Sequence, residues 1–123
     1  MGMSAFYGPT KSEEENHKVL SAAADMGVRF WDTADVYGVG HNEGFSWLRQ
    51  GLLLEMIGRW FKKTGRRKDI FICTKFGNTL DMKFNVRGDP EYVKQACHDS
   101  LKRLDIDQID LYYMHRSSTP LSI

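Results

Sequence analysis

Helix and strand signals alternate along this chain, and that alternation limits its folds more than any other feature. Val28-Arg29-Phe30-Trp31-Asp32, Ile70-Phe71-Ile72-Cys73-Thr74 and Ile109-Asp110-Leu111-Tyr112-Tyr113-Met114 are short runs rich in β-branched or aromatic residues and read as strands. A helix is predicted ahead of each. Over 13–26, Ser12-x-x-Glu15 has capping-box spacing, three glutamates complement the helix N-terminus, Val19, Leu20, Ala23 and Ala24 form an apolar face, and Gly27 is a stop. A second helix is predicted over 52–64, with lysines in its last turn and Gly65 after it. Asp89-Pro90-Glu91 opens a third as cap, first-turn proline and dipole partner, with Tyr92, Val93, Ala96, Cys97, Leu101 and Leu104 as its apolar face. Strands roughly 40 residues apart and separated by helices imply parallel pairing through helical crossovers.

Two α/β architectures fit: a doubly wound sheet, or part of a (β/α)8 barrel. The first usually carries a glycine-rich phosphate loop behind a strand. Tyr37-Gly38-Val39-Gly40 lacks the third glycine and has no helix directly behind it, so that motif is absent. At 123 residues the chain reads as one domain, 1–123. Its 41% apolar content and fifteen aromatic residues suffice for a core and argue against intrinsic disorder. The net charge of +1, with signs interspersed, argues against a nucleic-acid footprint. Neither a membrane-length apolar run nor a secretory leader is expected. Cys73 and Cys97 are too few for a disulfide scaffold and are expected as free thiols in a reducing compartment, which makes the expected location cytoplasmic.

Each predicted strand ends on an ionisable residue: Asp32, Lys75 and His115. Side chains alternate along a strand, so Asp32 shares a face with Phe30, Lys75 with Cys73 and Phe71, and His115 with Tyr113 and Leu111. If helices cover the Ile70/Ile72 face, the three polar residues converge on the other. In a barrel that face is the interior, and C-terminal strand ends carry the chemistry. Tyr37, on the loop after the first strand, is placed to bend back over the rim. Taken singly, each has an ordinary explanation: Asp32 as a turn residue, Lys75 as a solvated charge, His115-Arg116 as loop polarity, Tyr37 as a rim aromatic. His17, His41 and His98 are scattered without metal-ligand spacing, so no metal site is expected. Arg66-Arg67-Lys68 reads as a solvated connection, and Met1, Met3 and Met26 as core or rim filler.

Phe30-Trp31-Asp32-Thr33-Ala34-Asp35-Val36-Tyr37-Gly38, Thr74-Lys75-Phe76-Gly77 and Asp110-Leu111-Tyr112-Tyr113-Met114-His115-Arg116 together resemble the three signatures of the aldo-keto reductases. Gly88-Asp89-Pro90-Glu91-Tyr92-Val93 and Leu101-Lys102-Arg103-Leu104 are similar to the branch containing pyridoxal and perakine reductases. The resemblance implies part of a (β/α)8 barrel, roughly strands 2–4 with their helices. It implies an enzyme that uses NADP(H) to reduce aldehydes and ketones to alcohols. By that resemblance Asp32, Tyr37, Lys75 and His115 are the catalytic tetrad: Tyr37 gives the proton, Lys75 lowers its pKa, Asp32 holds the lysine and also meets the cofactor, and His115 orients the carbonyl. Met3 becomes a weaker cofactor contact. Elementary electrostatics agrees, since an ammonium ~4 Å from a phenol at an effective dielectric of ~20 offers roughly 4 kcal/mol, about three pH units at most.

Two departures from the family stand out. A full barrel takes about 250 residues, so the chain reads as a truncated N-terminal half, with a divergent tail over 117–123. Residues 44–54 read as an insertion between Asn42-Glu43 and Glu55-Met56-Ile57-Gly58. The expected partner is a small carbonyl substrate, without nucleic acid or membrane, and an open sheet edge favours self-association. The alternative function is a catalytically inactive truncated product that acts only by docking to other subunits or is not stably folded.

Overall fold

The computed structural model describes Met3 and residues 11–37, 52–79 and 85–116. Its elements are α1 (Glu13–Asp25), β1 (Phe30–Asp32), α2 (Leu52–Thr64), a 3-10 turn (Arg66–Asp69), β2 (Phe71–Phe76), α3 (Pro90–Leu104) and β3 (Leu111–Met114). The α-β-α-β-α-β order is the one expected. The candidate insertion up to residue 51 and the divergent tail lie outside the described residues.

The predicted caps form. Ser12 and Glu15 make both hydrogen bonds of the capping box, and Asp89 accepts from the Tyr92 N–H with Pro90 at the first helical position. Removing such a cap costs about 1 kcal/mol. Gly27 and Gly65 leave α1 and α2 with φ of 84° and 69°, a backbone region that favours glycine. The buried stripe of α1 differs from the expected face: Asn16, His17, Leu20 and Ala24 point inward, and Val19 is exposed. Asn16, Leu20 and Ala24 stand one turn apart with His17 next to Asn16, and Val19 falls beside that stripe. The His17 ring nitrogen Nε2 donates to the Met56 carbonyl at 3.0 Å and so ties α1 to α2. Met26, expected as filler, is exposed at the end of α1, whereas Met3 packs against the core.

The sheet is parallel, in the order β1-β2-β3. Phe30 pairs with Phe71 and Asp32 with Cys73; Cys73 pairs with Leu111 and Lys75 with Tyr113. All three helices cover one face. Leu20 and Ala24 of α1, Leu54, Ile57, Trp60 and Phe61 of α2, and Leu104 of α3 join Trp31, Ile70 and Ile72 in a single cluster. Trp60 is completely buried, tilted against Trp31 at 4.8 Å between ring centroids, and its indole N–H donates to Ser21. A doubly wound sheet has helices on both faces; here the other face carries Phe30, Phe71 and Leu111, which are 61%, 45% and 43% exposed. One covered and one open face is what a segment cut from a (β/α)8 barrel has, the open face being the interior.

The basic run 66–68 is more than a solvated connection. Arg66 pairs with Asp25 and Asp69. Arg67 donates to the Ile70 and Gln108 carbonyls and to Asp110 Oδ2, and the same oxygen accepts from the Ile72 N–H at 2.7 Å. This cluster occupies the N-terminal ends of β2 and β3, which begin later than the residue pattern predicts; the Ile70 carbonyl accepts from Arg67, while the Asp110 N–H donates to the Ile72 carbonyl of β2. A cleft of about 780 Å3 lies at that same end, lined by Arg29, Arg67, Phe71 and Asp110 among others and away from the strand ends that carry Asp32, Lys75 and His115.

Helices α2 and α3 meet closely at Gly58, where a Cβ would stand 2.5 Å from the Leu104 carbonyl oxygen and 3.0 Å from that of Arg103. Both neighbours are backbone and cannot rotate away. Gly58→Ala is therefore expected to destabilise the fold by about 1–3 kcal/mol, although alanine is the better helix former. Urea unfolding followed by tryptophan fluorescence measures this; a more stable variant would contradict it.

Asp35 is buried in the turn after β1, its N–H donating to the Lys75 carbonyl and its Oδ1 without a hydrogen-bond partner among the described residues. Burial raises its pKa from the ordinary 3.8 to about 6, with Arg103 of α3 opposing the shift. Between those values the folded state holds more protons than the unfolded state, so stability falls as pH rises from about 4 to about 6. The loss is of order 3 kcal/mol. Asp35→Asn is expected to flatten that decline and be the more stable protein at pH 7, read from unfolding midpoints at pH 4, 5, 6 and 7. Parallel curves for the two proteins would refute the assignment.

Candidate active site

The C-terminal ends of β1, β2 and β3 each deliver one polar side chain to the open face, as the alternation of side chains requires. Lys75 lies near the end of β2, only 8% exposed. A buried ammonium must satisfy three N–H donors, and all three are used. Asp32 Oδ2 accepts one at 2.5 Å, the Thr33 carbonyl a second at 2.8 Å and the Tyr37 hydroxyl the third at 3.4 Å. Burial opposes the charge on this lysine; the hydrogen bond it donates to Asp32, and then the nearby Tyr113 hydroxyl, outweigh burial and raise the pKa above the ordinary value. The group is therefore a fixed cation at neutral pH.

The backbone explains how Tyr37 reaches this point. Thr33 N–H donates to the Cys73 carbonyl and Asp35 N–H to that of Lys75, so the chain follows β2 beyond the end of β1. A turn then closes with the Tyr37 N–H on the Ala34 carbonyl at 3.2 Å. The tyrosine is thus turned back over the sheet and is buried. Its carbonyl accepts from the Leu53 N–H, which joins the turn to the first residues of α2.

His115 follows β3 directly, its N–H donating to the Phe76 carbonyl at 2.8 Å. Its ring meets Tyr37 edge-on, with centroids 5.7 Å apart and planes at 89°. Nδ1 is buried and has no hydrogen-bond partner among the described residues. Burial, then the positive charges of Lys75 and Arg116, lower the histidine pKa from its ordinary value, with Asp32 opposing. The imidazole is neutral at pH 7, with one N–H to donate. A cation, a phenol and a neutral imidazole in contact at a strand-end rim can hold a carbonyl oxygen and pass it a proton.

All four residues singled out from the sequence as a tetrad, Asp32, Tyr37, Lys75 and His115, come together in one place. Met3 lies at the edge of the core, its carbonyl accepting from Asn16 at 3.1 Å. Two groups at the site were missed. The Thr33 carbonyl leaves no trace in a side-chain pattern. Tyr113 does: side-chain alternation puts it on the same face as His115, and it donates to Asp32 Oδ1 at 2.6 Å.

A family model, that of the aldo/keto reductase family, matches residues 1–123. The chain is 51% identical over 126 residues to "Aldo-keto reductase yakc [NADP(+)]" of Schizosaccharomyces pombe, covering 98% of this chain and 34% of that protein. It is 46% identical over 125 residues to "Aldo-keto reductase str7" of Strobilurus tenacellus, covering 100% of this chain and 32% of that one. It therefore spans about a third of the length of these curated relatives. Among solved structures it is similar to aldo-keto reductase AKR11C1 from Bacillus halodurans in its holo form, with a TM-score of 0.63 and 36% identity over 82% of this chain and 30% of that one. The arrangement of strands, the polar rim and the family match agree, and the chain belongs to the aldo/keto reductase family.

Proposed function

We propose that this chain carries the catalytic corner of an NADP(H)-dependent reductase that converts aldehydes and ketones to alcohols. The observation that carries this reading is the saturated ammonium of Lys75, whose third N–H falls on the Tyr37 hydroxyl in a buried corner beside His115. The Tyr37 oxygen accepts from the lysine, so its own proton is free to be given to a carbonyl oxygen. Growing negative charge on the phenol is then balanced by the cation beside it. Asp32 keeps Lys75 charged. The neutral His115 offers an N–H to the same carbonyl oxygen and orients it.

The site suits the reactive end of a nicotinamide cofactor: an open sheet face adjoins a buried imidazole nitrogen that lacks a partner among the described residues. Asp32 and Met3 are the residues proposed to meet it. When bound, NADPH supplies the hydride that reduces the carbonyl carbon. The relative from Schizosaccharomyces pombe carries NADP(+) in its name. Within the family we place the chain in the branch of pyridoxal and perakine reductases, on Gly88–Val93 and Leu101–Leu104.

A second reading is favoured by the exposed row Phe30, Phe71 and Leu111. Interior residues left this open suit a chain that works by docking onto other subunits, without catalysis of its own.

Tyr37→Phe separates the readings. On the reductase reading, NADPH-dependent reduction of an aromatic aldehyde falls by ~100-fold or more, while quenching of tryptophan fluorescence by NADPH keeps its midpoint within about twofold. Activity that survives the substitution overturns the role of Tyr37. An unsubstituted chain whose fluorescence does not respond to NADPH favours the docking reading.

A further inference from the structure

We propose that Tyr113 is a positioning residue of this site: its hydroxyl holds the Asp32 carboxylate against Lys75, so that the ammonium stays aimed at Tyr37. The inference rests on the reductase reading for its kinetic consequence alone; the contact itself does not depend on it.

The geometry is specific. Strands β1 and β3 are not neighbours, because β2 runs between them. Tyr113 nevertheless spans β2 and donates to Asp32 Oδ1 at 2.6 Å, while Lys75 donates to Oδ2 of the same carboxylate at 2.5 Å. Each carboxylate oxygen thereby has a donor of its own. The Asp32 side chain is 40% exposed at the end of a three-residue strand, so without a second anchor it is free to turn toward water. The Tyr113 ring also lies near the ammonium, with Nζ 5.3 Å from its centroid. A side chain as long as tyrosine is needed to bridge two strand spacings of ~4.8 Å each.

Two phenols thus flank one lysine–aspartate pair with different tasks. The proton of Tyr113 is committed to Asp32, whereas Tyr37 receives a hydrogen bond from Lys75 and keeps its own proton to give. Burial, and then the hydrogen bond to Asp32, raise the Tyr113 pKa, which keeps it a donor throughout the neutral range. The ionisable groups around the ammonium are Asp32 from β1, Asp35 and Tyr37 from the turn, Cys73 earlier on β2, and Tyr113 and His115 at the end of β3.

Tyr113→Phe removes one oxygen and leaves the ring in place. In the full chain labelled with [13Cε]lysine, with the Lys75 signal assigned by its loss in Lys75→Arg, the midpoint of the Lys75 titration is expected to fall by about one pH unit, since burial then acts against a less firmly held carboxylate. Asp32→Asn should lower it as well, and adding Tyr113→Phe to that variant should have no further effect, because the tyrosine acts through the aspartate. In the reductase assay kcat should fall about tenfold, with KM for NADPH within twofold and the melting temperature unchanged. An unmoved lysine titration, additive effects in the double variant, or a loss of activity that only tracks lost stability would overturn the proposal. A chain with no reductase activity would overturn the proposed function instead, and the lysine titration would still decide the role of Tyr113.

Discussion

A lysine ammonium buried near the end of a β-strand is costly unless every donor on it is matched, and the site is built around that requirement. Lys75 uses its three N–H groups on a carboxylate, a backbone carbonyl and a phenol, each from a different residue. The carboxylate comes from β1, the carbonyl from the residue after it and the phenol from the turn beyond. Losing the carboxylate leaves a buried charge without its counter-ion, a strongly destabilising situation. One cation thus fixes both the position of the turn and its distance from β2. Burial, and then the same charge, lower the pKa of the neighbouring His115, so the cation also bears on the imidazole beside it.

The scaffold supports this by asymmetry. Trp31, Trp60, Phe61, Ile70, Ile72 and Leu104 fill the layer between sheet and helices, so the strands are held from one side only. The opposite face is left to the polar residues at its C-terminal end and to an apolar row at the other end. Chemistry and packing do not compete for the same positions. The buried polar residues under α3, among them Asp35, Thr74 and Ser100, are the exception, and Asp35 lies in the very turn that carries Tyr37.

Much of the fold was legible in local chemistry. Ser12, Asp89 and Pro90 mark helix starts through backbone bonds made within one turn, and Gly27 and Gly65 mark ends through their positive φ. The faces of Asp32, Lys75 and His115 followed from alternation alone. The strand starts were less legible: the Ile70 carbonyl accepts from Arg67 three residues back, and Asp110 meets Arg67 and Ile72 at separations of 43 and 38 residues, pairings that residue type alone does not encode. The reading of 66–68 as a solvated connection failed for the same reason. Val19 and Met26 are apolar by type, yet their exposure depends on which stripe of α1 meets α2, and the buried His17 bonded to Met56 settles that. In the candidate site, the grouping of Asp32, Tyr37, Lys75 and His115 was legible in the sequence, whereas the Thr33 carbonyl was not, since backbone acceptors are identical in every sequence.

The arginine–aspartate cluster at one end of β2 has a counterpart at the other. Arg67 and Asp110 clamp the entry of β2 to β3, and Lys75 with Asp32 clamps its exit to β1. Sliding either neighbour along β2 by a single residue pair would break one clamp and turn the adjoining side chains to the wrong face. The stagger between staves, which sets the tilt and bore of a closed barrel, is thus locked here by charge at both rims, and the greasy middle is free to vary in shape without loosening the alignment.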